Sequence, residues 1–223
     1  MKKQLSEILT KKITRQRMDE FLKAHQTKAK VLDIGSRRAP YHKYYPNATT
    51  VDIDPACKPD VVADAHDMNM FKKGEFEVVL ATEVLEHLYN PFVGITEMAR
   101  VLEKGGKLVL TTRFIFPLHD TPHDYFRFTK YGLQKLLEPH FTDIQIQEET
   151  TTLETLAVLY QRLGFQTATF HFNFFRVVWH LLARMSACFR YIPSKEWGSI
   201  RCDKREKNIL TSGYFVTAIR KKS

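Results

Sequence analysis

Short apolar runs alternate with helix-patterned segments through the middle of this chain, and nearly every run stops at a small or acidic residue. The runs lie at residues 30–34, 49–53, 61–62, 76–81, 107–112, 144–147 and 214–219. The run at 76–81, FEVVLA, is almost continuously apolar, as expected of a strand buried on both faces. Between runs the pattern turns helical. Asn90 followed by Pro91 reads as an N-cap with proline in the first turn, and Phe92, Ile95, Met98, Ala99 and Leu102 then fall on one helical face. Gly105–Gly106 is expected to end that helix. A second helix is expected over 129–137, closed by Pro139. Alternation of this kind predicts a mostly parallel sheet with helices on both faces.

Four segments follow from this pattern. Residues 1–29 form an amphipathic extension, with Leu5, Ile8, Leu9, Ile13, Met18, Phe21 and Leu22 at helical spacing. Residues 30–149 form the α/β core. Residues 150–210 break the alternation and read as a mostly helical insertion rich in aromatic and basic side chains. Residues 211–223 return to the sheet as its last strand.

Charge is distributed unevenly. Residues 1–30 carry nine Lys or Arg against three acids, residues 31–150 carry 13 against 18, and residues 151–223 carry 12 against 4. Basic flanks of this kind suit nucleic acid, anionic lipid or a phosphorylated ligand, and they equally suit a solvated surface. Three cysteines without metal-ligand spacing suggest a reducing compartment. No stretch of 18 apolar residues exists, and residues 1–21 lack an apolar signal core. The expectation is a cytoplasmic protein, with the inner membrane face as a peripheral location.

In open α/β sheets, ligands bind beyond the carboxyl ends of the strands. Polar residues cluster there: Asp33 and Gly35, then Asp52 and Asp54, then Asp64, Ala65 and His66, then Thr82 and Glu83, then 119–124. A glycine at the first turn lets backbone approach a ligand. An acid some 17 residues on can accept both hydroxyls of a ribose, and Asp52 stands there. Ile53 could pack on an adenine, and Asp64 could accept from its amino group. The first turn reads GSRRAP, not GxGxxG, which argues against a pyrophosphate. A phosphate-free cofactor carrying a cation fits the acidic rim better.

Six motifs carry a resemblance: VLDIGSRRAPY, TTVDIDP, DVVADAHDM, FEVVLATEVLEHLYNP, RVLEKGGKLVLTT and HDTPHDYFRFTKYGLQKLL. Together they resemble the class I, type 11-like methyltransferases that use S-adenosyl-L-methionine, and most of all a branch associated with glycan and cell-surface polysaccharide assembly. The resemblance covers roughly residues 30–148 and the last strand. It implies a Rossmann-like three-layer α/β/α fold, with a seven-stranded, mostly parallel sheet, an antiparallel last strand and a helical insertion before it. It also implies that Asp33, Gly35 and Ser36 line the methionine side of the cofactor and that Asp52 and Ile53 hold ribose and adenine. Asp64 and Ala65 would hold the adenine edge, and Thr82 and Glu83 would close the cleft. The family usually has glycine where Arg37 and Ala39 stand, so an inward-pointing Arg37 would crowd the cofactor.

The expected reaction is methyl transfer to a hydroxyl of a small-molecule or glycan acceptor. Displacement at a sulfonium-activated carbon needs mainly alignment, and a hydroxyl nucleophile gains from a base. In the loop 117–128, His123 is the first candidate base and His119 the second, with Asp124 orienting an imidazole. Tyr125 and Arg127 are candidate substrate contacts. The alternative is a structural lid in which Arg127 pairs with an aspartate. HDTPHD also has spacing compatible with a divalent metal, but no metal is expected, and His87 reads as structural.

The segment 156–192 carries Arg176, His180 and Arg184 four residues apart on an otherwise apolar helix. It could meet a membrane interface, bind a lipid-linked glycan, cover the active site or form a homodimer contact. It could also pack on the sheet with a solvated stripe. Two other functions compete. An RNA methyltransferase is suggested by the basic flanks, but no recognisable RNA-binding module is present, so nucleic acid is not an expected partner. A non-catalytic cofactor-binding or membrane-associated scaffold is kept open by Arg37.

Overall fold

The computed structural model describes residues 11–38, 40–167, 173–192 and 195–222. Leu5, Ile8, Leu9 and Ala39, which figure in the sequence reading, lie outside them. The described chain falls into two compact units. One takes Asp19–Arg113, Leu118–Gln147 and Tyr214–Ser223. The other takes Met1–Met18, Phe114–Pro117 and Glu148–Gly213.

The first unit is built on a seven-stranded sheet. Its strands are β1 (Val31–Ile34), β2 (Ala48–Asp52), β3 (Val61–Val62), β4 (Phe76–Thr82), β5 (Leu102–Arg113), β6 (Phe141–Glu148) and β9 (Gly213–Arg220), in the order β3-β2-β1-β4-β5-β9-β6. The pairs β1/β2, β1/β4, β2/β3 and β4/β5 are parallel. One strand, the last, runs antiparallel, and helices flank the sheet in the Rossmann-like arrangement. Chain order reverses between β1 and β4. That reversal opens a crevice at their carboxyl ends, which is where such sheets bind ligands.

The strands form where apolar residues run without a break. All four residues of β1 are buried, and Val78, Val79, Leu80 and Ala81 of β4 are each at most 7% exposed. Each of the buried Val, Leu and Ile side chains among them contributes roughly 1.5–3 kcal/mol on leaving water. The helix α2 (Pro91–Val101) starts where Asn90 accepts the amide of Val93 at 3.3 Å, and it buries Ile95, Met98, Ala99 and Val101. It ends at Val101, four residues before Gly105, because Leu102 already pairs with Phe76 as strand. The glycine pair instead sits in an irregularity of β5 that brings Lys107 opposite Val78. The helix α3 (Lys130–Leu137) is capped by the Thr129 hydroxyl and buries Leu133, Leu136 and Leu137.

The second unit contains α4 (Thr152–Gln166), α5 (Asn173–Ala187) and a two-stranded ribbon of β7 (Glu196–Trp197) with β8 (Arg205–Glu206). The helix α1 (Ile13–Ala24) contributes Ile13, which packs on Ala157 and Val158. The basic stripe on α5 is only partly solvated: Arg176 is exposed, Arg184 is half-buried and His180 is buried. His180 is 6% exposed and stacks edge-on against Phe165. The Arg176 guanidinium donates to the Gly164 carbonyl, and Arg184 donates to the Lys11 carbonyl at 2.6 Å. Gly164 makes this approach possible, since an added methyl would meet the His180 ring at 2.9 Å. The exposed row is the apolar one, Val177, Leu181 and Met185. Among the described residues, no helix is long and apolar enough to cross a membrane.

The sheet core predicts the largest stability losses. Leu80, fully buried at the centre of β4, should cost about 2–5 kcal/mol on replacement by alanine, read from the urea midpoint. A loss below about 1 kcal/mol would mean that the β1–β4 pairing is not the structural centre.

Candidate active site

The turn after β1 forms the first wall. Gly35 adopts φ 66°, and its amide and that of Ser36 donate to the Val51 carbonyl at 2.8 and 3.2 Å. A side chain at Gly35 would run into Val84 Cγ2 at 2.4 Å, so the turn tolerates only glycine. This turn locks the ends of β1 and β2 together. Asp33 is 3% exposed, and its Oδ1 has no hydrogen-bond partner. Burial, with the Asp52 charge adding to it, pushes its carboxyl up to about 7. The Ser36 hydroxyl is likewise buried without a partner.

Asp52, at the end of β2, is 7% exposed. Its Oδ2 accepts the Arg37 amide at 2.7 Å, and its Oδ1 accepts the Asp54 amide at 3.0 Å. A carboxylate has about four acceptor positions, so roughly two remain. Ile53 stands 68% exposed beside it. Arg37 takes φ 47°, and its guanidinium pairs with Asp120 at the surface. Asp64 accepts both the amide and Nδ1 of His66, at 2.9 and 2.6 Å, and Ala65 is buried. His66 Nε2 in turn accepts the Asn90 amide ahead of α2.

The loops after β4 and β5 form the second wall. Thr82 is half-buried. Glu83, at φ 55°, anchors its amide on Thr111, and its carboxylate pairs with Arg113. The chain returning from β5 closes on the turn after β4 through the amides of Tyr125 and Phe126, which both donate to the Glu86 carbonyl. Asp124 holds Arg127 through two bonds of 2.6 and 2.7 Å and accepts the His119 amide at 2.9 Å. Burial works against the Asp124 charge, but the Arg127 guanidinium and the His119 amide outweigh it and hold the carboxyl far below the usual range. His119 is mostly buried, and desolvation, partly offset by Asp124, lowers it to about 4. The histidine is therefore neutral at pH 7. His123 pairs with the Tyr125 hydroxyl at 3.0 Å, away from the Asp124 group.

The sequence-predicted residues thus fall into three sets. Asp33, Gly35, Ser36 and Asp52 share the β1–β2 end, and Ile53 borders them. His119, Asp124 and Arg127 form one buried group, and His123 and Tyr125 an exposed pair. Asp64 belongs with His66. Sequence reading did not single out Glu86, which is fully buried with Oε2 on the Thr112 hydroxyl at 2.8 Å. Only its place beside His87 in LEHL could have drawn attention to it. Arg113, partner of Glu83, was also missed.

A family model described as a methyltransferase domain matches residues 1–169. The chain belongs to the methyltransferase-domain family. Its cofactor is S-adenosyl-L-methionine. A search of curated proteins finds no match. Among solved structures, a phosphoethanolamine N-methyltransferase 2 of Haemonchus contortus, in complex with phosphomonomethylethanolamine and S-adenosylhomocysteine, aligns at TM-score 0.55 and 15% identity. The alignment covers 93% of this chain and 52% of that one, so this methyltransferase spans about half the length of the nematode enzyme. YcgJ of Bacillus subtilis aligns at TM-score 0.54 and 14% identity over 94% and 99% of the two chains. The [4+2]-cyclase SpnF aligns at TM-score 0.54 and 13% identity over 93% and 81%. At such identities the likeness establishes the fold, and a cyclase among them shows that the fold does not by itself fix the reaction.

The first wall fits the cofactor of a methyltransferase. Asp33 offers a buried, unpartnered oxygen to a cationic group, Ser36 a buried hydroxyl, Gly35 a close backbone, and Asp52 two remaining acceptor positions to a ribose. Asp33 also sets a pH dependence. Its folded value, about 7, lies above its ordinary 3.8, so the unfolded chain loses that proton first. Its contribution to stability therefore falls as pH rises from about 4 to about 7 and stays low above that. Asp33→Asn should gain on wild type between pH 5 and pH 8 in urea denaturation of the cofactor-free protein. Parallel curves at the two pH values would remove the charge penalty from Asp33.

Proposed function

We propose that this methyltransferase methylates a hydroxyl of a small-molecule or glycan acceptor. The reading is carried by the pairing of His123 with Tyr125 in the loop that closes on the turn after β4. When bound, the cofactor supplies a methyl group on a cationic sulfur. A hydroxyl acceptor then becomes a methyl ether, the sulfonium becomes a thioether, and one proton must leave.

His123 is placed to take that proton. It is exposed, and in the tautomer that donates Nδ1–H to the Tyr125 hydroxyl, Nε2 is the basic atom. Tyr125 is 45% exposed and is the aromatic surface for an acceptor ring. His119 is the weaker base, since its proton affinity is depressed. Arg127 is committed to Asp124, so its part is to hold the loop and the acceptor side in shape. Peripheral membrane contact through 156–192 belongs to the same reading, supported by the exposed row of Val177, Leu181 and Met185.

Two substitutions test the assignment. His123→Ala should lower kcat by about 10²–10⁴-fold while S-adenosylhomocysteine binds as before in calorimetry. Wild-type rates would make the loop a structural lid. Asp52→Ala should weaken cofactor binding by about 1–3 kcal/mol, with the fold checked by circular dichroism. An unchanged dissociation constant would take Asp52 out of the cofactor site.

A further inference from the structure

Glu86 presents an unusual buried atom. Its side chain is fully buried, and while Oε2 accepts the Thr112 hydroxyl, Oε1 has no hydrogen-bond partner. An unsatisfied buried acceptor costs about 1–3 kcal/mol, more when charged. Two imidazoles stand around it. His119 Nε2 lies 4.0 Å from Glu86 Oε1, and the His87 and His119 rings are 4.8 Å apart at 66°. One ligand atom from each of Glu86, His87 and His119 lies within 4.8 Å of the other two.

The His87 ring is held from behind, and the His119 ring is backed by a carboxylate. His87 Nδ1 sits 2.6 Å from the His123 carbonyl, which can only accept, so Nδ1 carries the proton and Nε2 is the ligand atom. His119 Nδ1 faces Asp124 Oδ2 at 3.3 Å, and Nε2 faces Glu86. Carbonyl and carboxylate groups behind imidazoles are the usual orienting partners of metal-binding histidines. Local charge permits a cation. Glu83, Glu86 and Asp124 stand against Arg113 and Arg127, three carboxylates against two guanidiniums, and each guanidinium is already paired.

We propose that Glu86, His87 and His119 form a binding site for a divalent transition-metal ion of the Zn²⁺ type. Two imidazoles and one carboxylate leave open coordination positions, the arrangement of catalytic rather than structural sites. Tetrahedral bonds of about 2.1 Å place ligands about 3.4 Å apart, so side-chain rotation must draw the three together by roughly 1 Å. The open positions take an oxygen donor, and here the inference rests on the hydroxyl-acceptor reading: an acceptor with an alcohol oxygen would complete the site. The sequence reading expected no metal. Its HDTPHD spacing would have recruited His123, which instead contributes only its carbonyl.

Titration of metal-stripped protein with Co²⁺, followed by visible absorption, tests the site, with Zn²⁺ affinity measured by competition against a chromogenic chelator. Wild type should show ligand-field bands saturating at one equivalent. Glu86→Gln and His87→Gln should each weaken binding by at least about tenfold, whereas His123→Gln should leave it unchanged. His87 is half-exposed, so its variant tests the ligand set even if the buried Glu86 variant fails to fold. S-adenosylhomocysteine calorimetry on every variant reports the fold and the cofactor site separately, so a failed cofactor reading does not mask the metal result. Absence of Co²⁺ bands in wild type, wild-type affinity in His87→Gln, or loss of binding in His123→Gln would overturn the proposal.

Discussion

A parallel sheet covered on both faces has little place for charged side chains along its strands. They are expelled to its edges, and chain reversal between β1 and β4 gathers them at one of these. The polar side chains of the first wall follow from that constraint. Asp33 shows the cost most clearly, because it is a carboxyl buried inside β1, paired opposite Thr50 and Leu80. Burial there drives its proton affinity up, and a nearby Asp52 adds to it.

The two walls handle their acids differently. In the first, Asp33 and Asp52 face each other without a counter-ion from the turn, since Arg37 sends its guanidinium to Asp120. In the second, acids are matched: Glu83 with Arg113, and Asp124 with Arg127. The first wall therefore lacks positive charge that a ligand could supply. The second is internally balanced except at Glu86, whose carboxyl burial pushes up to about 7.

Much of the fold was legible because strand burial writes itself as an unbroken apolar run. The segments at 76–81 and 30–34 became β4 and β1 nearly to the residue, and the Asn90–Pro91 start of α2 is a local signal that needs no tertiary context. Features set by distant chain were not legible. Glu86 looks in sequence like a solvated acid at a helix start. It is buried only because residues 125–126, some forty positions on, cross over it and bond to its carbonyl. The face of α5 failed for the same reason. Arg176, His180 and Arg184 read as one stripe by spacing, yet His180 is buried against Phe165 while Arg176 stays exposed, because the Gly164 and Lys11 carbonyls supply partners that no periodicity reveals. The candidate residues lie at the strand ends where the apolar runs stop. Sequence could not divide His119 from His123, because the three residues between them allow either to turn toward Asp124.

Of the two departures from the usual turn, Arg37 and Ala39, energetics decide what Arg37 means for the cleft. Its pair with Asp120 is surface-exposed on both sides, 67% and 49%, and such pairs contribute about 0–1 kcal/mol. The Asp124–Arg127 pair is different. Asp124 is 1% exposed, and breaking a buried pair by removing one partner costs about 3–5 kcal/mol. The link from the first turn to the 118–128 loop can therefore part at small cost, while the base of that loop stays fixed. Arg37 bears on Asp52 through its backbone amide, and any residue could supply that. Its side chain lies outside, where displacement by an entering ligand is cheap, so the arginine does not weigh against cofactor binding in the way its bulk suggested.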